Sequence, residues 1–341
     1  MTRASGGQPL IKGLRVSGTP HVPLNPESLE ALAAFRERLR AGAYEMNESG
    51  CLCGSAPASA LLIAEEDRYG LPIRTNLCRS CGLLFTSPRM TEESAARFYE
   101  NEYRPIYRGS ATASEAFFHN QTKHGAKILE RVGPFLKSGS GLVVLDIGCG
   151  AGGVLQPFQQ AGWRAFGCDF NPAYLERGID QGLQLVAGSS GALRQFGPAD
   201  LIVASHVLEH CLEPDKEIRE WTSMLTAGGL IYIEVPGVLE LFQSYKRIES
   251  YFHVAHTFHF SLGTLTNLLA EEGLAFIAGD ETVWALFSPD VDVCTRPHRE
   301  APVVIENFLR HSQDPLRATA RELNRHARKF GRSIAKRLRK R

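Results

Sequence analysis

The sequence predicts an α/β fold built on a doubly wound, mostly parallel sheet. From Gly141 onward, short apolar runs alternate with amphipathic segments, which is the pattern of strands joined by helical crossovers. The first and fifth runs are almost wholly apolar, as strands covered on both faces should be. The predicted strands are Leu142–Leu145, Ala165–Cys168, Leu183–Val186, Leu201–Ala204, Leu230–Val235 and Ala275–Ala278.

Shifts in composition divide the chain of 341 residues into five expected segments. In chain order they are a disordered arm (1–24), a helix with a small cysteine-bearing subdomain (25–105), linking helices (106–138), the sheet domain (139–295) and a basic helical tail (296–341). The arm is predicted from its polar, Gly- and Pro-rich composition. The first helix is predicted to start with Asn25 as its cap and Pro26 in its first turn, and to end near Arg40.

The net charge of +1 hides a strongly basic C-terminus. Residues 317–341 carry eleven of the 38 Lys and Arg and a single acid, whereas residues 1–316 hold 27 bases against 36 acids. A basic helix of this kind suits an anionic membrane surface or a nucleic acid, and it also suits packing on the acidic body. Because no apolar run spans a bilayer and the N-terminus lacks a secretory core, we expect a cytoplasmic protein, with peripheral membrane attachment open through the tail.

A glycine-rich loop joins the first predicted strand to the next helix. The run from Asp146 to Gly153, DIGCGAGG, lets the backbone turn tightly and approach a ligand closely. The glycine spacing alone also fits a dinucleotide fingerprint, in which the loop holds a pyrophosphate. However, Asp146 suits an ammonium group better than a phosphate, and Asp169 ends the second strand where it can accept hydrogen bonds from ribose hydroxyls.

Three runs taken together are more specific than the loop alone. LDIGCGAGG at 145–153, ASHVLEH at 204–210 and LTAGGLIYIEVP at 225–236 resemble the class I S-adenosylmethionine-dependent methyltransferases, especially those acting on sugars and other small metabolites. The resemblance implies a seven-stranded Rossmann-like sheet and S-adenosylmethionine as the cofactor. It implies this cofactor site: Gly148, Gly150 and Gly152 at the methionine end, Asp169 at the ribose, Phe170 and Ser189 near the adenine, with Asp146 and Ser205 completing the set.

Histidines in two segments are candidates for the base that removes a proton from the acceptor. His206 and His210 follow the fourth predicted strand, at the edge where open α/β sheets bind ligands. The segment 251–261 resembles a Tyr-His-Glu-His stretch of sugar C-methyltransferases, and this resemblance places His256 on the final histidine. Ala255 stands where that stretch has glutamate, so O-methylation fits at least as well as C-methylation. A packing or helix-capping role for His256 stays open.

Four of the eight cysteines, Cys51, Cys53, Cys78 and Cys81, cluster within 31 residues. A glycine follows each pair, and four thiolates suit tetrahedral zinc. The second pair has the two intervening residues of a zinc knuckle, whereas the first pair has one. The segment resembles a zinc ribbon that precedes some of these methyltransferases, which implies a structural zinc ion. Free cysteines in a small domain are the alternative.

These patterns favour an enzyme that methylates a hydroxyl or carbon of a sugar or glycan intermediate, with a histidine as the base. Two alternatives stay open. An RNA methyltransferase would hold its substrate with the zinc ribbon and the basic tail. A non-catalytic module would bind S-adenosylmethionine and use the same two features for assembly.

Overall fold

The computed structural model describes residues 8–110, 112–136, 141–290 and 302–314. The strands are β1 (Met46–Asn47), β2 (Leu61–Ala64), β3 (Thr75–Leu77), β4 (Leu84–Thr86), β5 (Arg89–Met90), β6 (Val143–Ile147), β7 (Arg164–Asp169), β8 (Gln184–Ala187), β9 (Ala199–Ser205), β10 (Leu225–Glu234), β11 (Phe258–His259), β12 (Ala275–Asp280) and β13 (Trp284–Ser288). The helices are α1 (Pro26–Arg40), α2 (Glu92–Asn101), α3 (Tyr103–Arg108), α4 (Glu115–Val132), α5 (Gln156–Gln160), α6 (Pro172–Ile179), α7 (Pro214–Thr222), α8 (Leu262–Glu271) and α9 (Pro302–Ser312).

Seven strands form the central sheet, in the order β12-β13-β10-β9-β6-β7-β8. The five strands from β10 to β8 are parallel, and β13 runs antiparallel between β10 and β12. The prediction of a doubly wound, mostly parallel, seven-stranded sheet is therefore confirmed. The sequence patterns located six of the strands and missed β13. It follows β12 after a three-residue turn, without the helical crossover that marks the parallel strands.

The loop after β6 lies where the strand order changes direction. β6 pairs with β7 on one side and with β9 on the other. In open α/β sheets, clefts form at such switch points, outside the carboxyl ends of the strands. The glycine loop and the residues that follow β9 therefore open onto the same cleft.

Helix α4 covers one face of the sheet beside this loop. Its residues Ile128 and Val132 are fully buried in the apolar cluster on that face. Gly125 brings the helix against the backbone of Val154, because a Cβ at this position would lie 2.1 Å from the Val154 carbonyl oxygen. The helix thus supports the segment that leaves the glycine loop.

The opposite face buries α7, α8 and the cysteine-bearing subdomain in one core. Trp221 of α7 and Leu265 of α8 belong to the same apolar cluster as Ile202 of the sheet and Cys78 and Phe85 of the subdomain. The small sheet of the subdomain has the order β11-β4-β3-β2, and β11 follows β10 in the chain. The subdomain and the sheet domain therefore share both a strand pairing and a core.

The prediction that residues 1–24 form a disordered arm is wrong for residues 8–24. The N–H of Ile11 donates to the carbonyl of Ile63 in β2 at 3.0 Å. Ile11 and Leu14 are fully buried in an apolar cluster. Two apolar anchors, hidden in a polar and glycine-rich stretch, therefore tie this segment to the subdomain.

Other predicted segments fall partly within the described residues. Helix α1 begins and ends as predicted, and the Asn25 side chain accepts the Ser28 N–H at 2.7 Å. The predicted linking region, 106–138, holds the end of α3 and the whole of α4, and Gly109 with its φ of +63° ends α3. The basic run at 317–341 lies outside the described residues, so its partners stay predictions. Among the described helices, none combines the length and apolar character needed to cross a membrane.

Replacing Gly125 with Ala is expected to lower the free energy of unfolding by about 1–3 kcal/mol, the usual effect of overpacking. The added Cβ would meet the Val154 carbonyl oxygen at 2.1 Å, and relief requires the helix to move away from the glycine loop. Gly133→Ala at the end of the same helix is the matched control. Nothing lies within 4 Å of its added Cβ, so a change below about 0.5 kcal/mol is expected. Urea unfolding measures both variants, and equal losses would contradict this account of α4.

Candidate active site

The loop after β6 depends on three glycines with positive φ. Gly148, Gly150 and Gly152 have φ of 64°, 60° and 74°, a region that side chains disfavour. A Cβ on Gly148 would lie 2.7 Å from the Val207 side chain, and one on Gly152 would lie 2.7 Å from Leu185. Both backbone conformation and space therefore require glycine here.

One amide side chain that the sequence patterns did not single out braces this loop against α4. Gln121 donates from Nε2 to the Cys149 carbonyl at 2.9 Å and accepts the Gly153 N–H at Oε1 at 3.3 Å. The two bonds fix the middle and the end of the loop. Gln121 precedes Cys149 by 28 residues, so no local motif marks it.

Asp146 lies buried beneath the loop. Its Oδ2 has no hydrogen-bond partner among the described residues. Burial, with a further contribution from the charge of Asp169, raises the pKa of Asp146 well above its ordinary value. A cationic group placed beside this carboxyl would pair with the unpartnered oxygen and favour its ionised form.

Asp169 ends β7 and also contacts the loop. Its Oδ2 accepts the Gly150 N–H, and its Oδ1 accepts the Asn171 N–H, both at 2.9 Å. Arg104 of α3 reaches the same Oδ2 at 3.5 Å, with its guanidinium 4.2 Å from the centre of the Tyr174 ring. Helix α3 therefore closes over the side of the cleft where the sequence predicts a ribose.

The other predicted cofactor residues surround the same edge of the sheet. Phe170 follows β7 and is 73% exposed, and Ser189 is exposed after β8. The Oγ of Ser205 lies 3.2 Å from Nε2 of His124, which also pairs with the Glu234 carboxylate at 2.9 Å. The sequence patterns did not predict this His124–Glu234 pair, because α4 contributes one member and β10 the other.

His206 follows β9 in a conformation unusual for its residue type. Among the described residues other than glycine, it alone has a positive φ, at 59°. Its N–H donates to the Glu234 carbonyl at 2.7 Å. The side chain is 54% exposed, and its Nδ1 lies 3.4 Å from Oε1 of Glu209, whose side chain is 1% exposed. Desolvation lowers the pKa of His206, but the hydrogen bond and charge of Glu209 outweigh it, so the pKa is raised.

His210, which is half-buried, and His256, which is buried, belong to a cluster of imidazoles. Their ring centres lie 4.9 Å apart, and Nδ1 of His210 lies 2.9 Å from the Ala255 carbonyl oxygen. His253 and His259 flank His256 with ring-centre distances of 4.9 and 5.5 Å. Burial lowers the pKa of His210 and lowers the pKa of His256 well below its ordinary value.

Glu209 is the site residue that the sequence interpretation overlooked. Its Oε1 lies 3.4 Å from Nδ1 of His206 and 3.8 Å from Nε2 of His210. One potential ligand atom from each of Glu209, His210 and His256 lies within 4.8 Å of the others. Position 255 has no carboxylate, but the turn after β9 places one beside the histidines. The Leu-Glu-His run in the sequence contained this signal.

Aromatic side chains of α2 and α3 form a wall beside the histidines. The ring of Tyr103 lies 5.8 Å from His210 and stacks on Tyr107 with ring centres 5.5 Å apart. Tyr99 packs edge-on against His210 at 5.9 Å. Buried Arg68 lies 5.2 Å from the centre of the Tyr107 ring, and its Nε has no partner among the described residues. The wall therefore combines aromatic faces with a buried cation.

The four predicted metal-ligating cysteines come together in the subdomain. The Sγ of Cys51 lies 3.4 Å from that of Cys81, and the Sγ of Cys53 lies 3.5 Å from that of Cys78. All four are free thiols, with their sulfur atoms within 4.8 Å of one another. A glycine with a φ of 83° follows each pair, so the two turns are alike despite their different spacing. This donor set fits a tetrahedral ion with Zn–S bonds of about 2.3 Å.

Comparison with known proteins matches residues 117–278 to a family described as a methyltransferase domain. The C-methyltransferase NovU of Streptomyces niveus is 28% identical over 236 residues, which cover 66% of this chain and 52% of NovU. A ubiquinone biosynthesis O-methyltransferase of Caulobacter vibrioides is 27% identical over 101 residues, covering 27% of this chain and 40% of that protein. The chain thus spans about half the length, or less, of these curated relatives.

A solved structure, the magnesium protoporphyrin IX methyltransferase of Synechocystis PCC 6803, aligns with a TM-score of 0.40 at 15% identity, over 58% of this chain and 98% of that chain. The family match itself covers most of α4, the glycine loop, both carboxylates and the histidine cluster. Residues 117–278 of this chain are therefore a methyltransferase domain.

Proposed function

We propose that this protein transfers the methyl group of S-adenosylmethionine to a hydroxyl or an acidic carbon of a sugar or glycan intermediate. The observation that carries the proposal is the pair formed by His206 and Glu209 beside the glycine loop. Val207 contacts the loop at Gly148, so the His206 backbone is one residue from that contact. A base is useful at this point because an O–H or C–H acceptor must lose a proton.

The residues around the loop fit S-adenosylmethionine, which supplies an electrophilic methyl group when bound. The unpartnered Oδ2 of Asp146 suits the ammonium group of the methionine part. Gly148 and Gly152 allow close backbone approach. The Asp169 carboxylate suits the ribose hydroxyls once the Arg104 guanidinium moves away from it. The exposed Phe170 ring offers an apolar face for the adenine.

Among the three predicted histidines, His206 is best placed to act as the base. Its side chain is 54% exposed, whereas that of His210 is 15% exposed and His256 as a residue is 7% exposed. Glu209 faces Nδ1 of His206, which leaves Nε2 for the acceptor. A carboxylate behind an imidazole fixes the tautomer and stabilises the imidazolium that forms. The proton of the acceptor would thus pass to Nε2 of His206, while His210 and His256 form the inner wall.

The wall beside the histidines supports an anionic carbohydrate as the acceptor. Arg68 is 7% exposed, and its guanidinium lies 5.0 and 5.2 Å from the ring centres of Tyr69 and Tyr107. A buried guanidinium with an unpartnered Nε suits a phosphate or carboxylate oxygen. Aromatic side chains supply apolar faces with polar edges, which suit a sugar ring. Sugar phosphates and nucleotide-linked sugars combine these properties.

We also propose that the four cysteines hold a structural zinc ion. Cys51 and Cys78 are buried in the core that the subdomain shares with the sheet domain. Strand β4, which follows the second pair, is bonded to β11 beside His256. An ion at the sulfur atoms would therefore hold the floor of the histidine cluster in place.

Assays with isotopically labelled S-adenosylmethionine are expected to show methyl transfer to nucleotide-linked sugars or glycan fragments and none to RNA. Product NMR separates an O-methyl from a C-methyl group. Calorimetry should show binding of S-adenosylhomocysteine and none of a nicotinamide dinucleotide, because the loop is flanked by carboxylates. Transfer to RNA alone, or cofactor binding without transfer to any acceptor, would count against the carbohydrate proposal.

His206→Asn is expected to lower kcat by about 100-fold or more, the usual contribution of a positioned base. Asparagine tolerates positive φ, so the turn should survive and the affinity for S-adenosylhomocysteine should stay within about twofold. His119→Gln on the exposed side of α4 is the matched control and should keep its activity. Steady-state kinetics with binding calorimetry measures both, and near-normal kcat in His206→Asn would assign the base elsewhere.

Purified protein is expected to release one zinc ion per chain when a mercurial modifies its thiols. Cys78→Ser should abolish this release and lower the unfolding temperature, since Cys78 is 1% exposed and lies in the shared core. Cys211→Ser is the control, because that thiol lies outside the cluster and contacts the Val207 carbonyl. Colorimetric zinc assay and thermal unfolding measure the effects. Equal zinc release from Cys78→Ser and wild type would refute the site.

A further inference from the structure

Behind the proposed base lies a group of nitrogen and oxygen atoms of which the proposed reaction uses only the Glu209 carboxylate. Glu209, His210 and His256 each offer one potential ligand atom, and these atoms lie within 4.8 Å of one another. Glu209 and His256 are 1% and 7% exposed. The group is distinct from the four cysteines and draws its members from two loops of the sheet domain.

Two of the three side chains hold a buried polar atom without a hydrogen-bond partner, and the third has one ring nitrogen facing the carboxylate. The Oε2 of Glu209 and the Nδ1 of His256 are buried and have no hydrogen-bond partner among the described residues. The Nδ1 of His210 lies 2.9 Å from the Ala255 carbonyl oxygen, which can only accept, and 3.0 Å from the Tyr99 hydroxyl, which donates to that same carbonyl, so this nitrogen carries the proton. The Nε2 of His210 is then the unprotonated nitrogen, and it lies 3.8 Å from the Glu209 carboxylate.

Two of these polar atoms, Oε2 of Glu209 and Nδ1 of His256, are therefore left without a hydrogen bond among the described residues. A buried polar group left unpaired costs about 1–3 kcal/mol, and a charged group costs more. A cation would satisfy all three side chains together. The Ala255 carbonyl behind His210 is also the outer support commonly found behind a metal-bound imidazole, since it fixes the tautomer and the ring orientation.

We propose that Glu209, His210 and His256 bind a divalent first-row transition-metal ion in the wall of the acceptor pocket. Two imidazoles and one carboxylate are ligands that such ions accept, and three protein ligands leave a position open. Bonds of about 2.1 Å hold adjacent ligand atoms about 3–3.5 Å apart, so small side-chain rotations from the present separations complete the site. The role of the ion, though not its binding, rests on the proposed function: it would polarise an acceptor oxygen beside His206.

Titration of the full chain with Co²⁺ tests this site, because the two expected sites differ in their absorption. Cobalt at four thiolates shows intense sulfur-to-metal charge transfer, whereas cobalt at nitrogen and oxygen ligands shows only weaker visible bands. We expect two Co²⁺ ions per chain in equilibrium dialysis, one with each spectrum. Glu209→Gln and His256→Gln should each lose the ion without charge transfer and keep the thiolate-bound ion.

His206→Asn is the matched control, because it alters the histidine beside the same carboxylate without removing a ligand. It should keep both ions while losing methyl transfer. Circular dichroism of each variant checks folding, and the thiolate-bound ion serves as an internal check of the subdomain.

Uptake of cobalt at the thiolates alone in the wild-type protein would overturn the metal proposal without recourse to any variant. Retention of both ions in Glu209→Gln and in His256→Gln would overturn it as well. Metal binding is measured without any methyl acceptor present. Failure of the proposed function is therefore distinguishable, because it would appear as no methyl transfer by protein that holds both ions.

Discussion

The backbone path of one loop determines where the rest of the site lies. Between β6 and α5 the chain runs so close to its neighbours that Gly148 and Gly152 have no room for a Cβ. Gln121 and Asp169 then hold the loop through its own peptide groups, and Val207 packs against it. With the loop fixed, the chain after β9 must turn sharply at His206. A residue held in such a conformation costs about 1–3 kcal/mol, and the bond from its N–H to the Glu234 carbonyl helps to hold it there.

The histidine cluster requires three parts of the chain at once. The N–H of Thr257 donates to the Glu209 carbonyl at 2.8 Å, which joins the histidine loop to the turn after β9. The N–H of Thr86 in β4 donates in turn to the Thr257 carbonyl at 2.9 Å, which joins that loop to the cysteine-bearing subdomain. A shift of β4 therefore moves His256 relative to Glu209. In this way the subdomain contributes to the geometry of the site without placing a cysteine in it.

The parts of the fold and site that could be predicted from the sequence are those encoded locally. Apolar runs, glycine spacing and acids at strand ends predicted the parallel strands, the loop, Asp146 and Asp169. The strand β13 was missed because it is joined to β12 by a tight antiparallel turn. The helical segment that marks the start of a new parallel strand in the sequence is therefore absent between them. Gln121 was missed because its two partners, Cys149 and Gly153, lie 28 and 32 residues later in the sequence. Only the packing of α4 against the loop brings them together. Glu209 was overlooked for a related reason: a carboxylate near His256 was sought inside the histidine segment, whereas the turn after β9 places one there.

Burial divides the three predicted histidines into two kinds. A base must meet its acceptor, and His206 is the exposed member. A metal ligand gains from a dry setting that excludes competing water, and His256 is nearly inaccessible. One buried carboxylate lies beside both kinds, because its Oε1 is 3.4 Å from Nδ1 of His206 and 3.8 Å from Nε2 of His210, while its Oε2 has no partner among the described residues. An ion bound at this carboxylate would draw charge from the group that faces the imidazole of His206. The proposed base and the proposed metal site are therefore linked through a single side chain, Glu209.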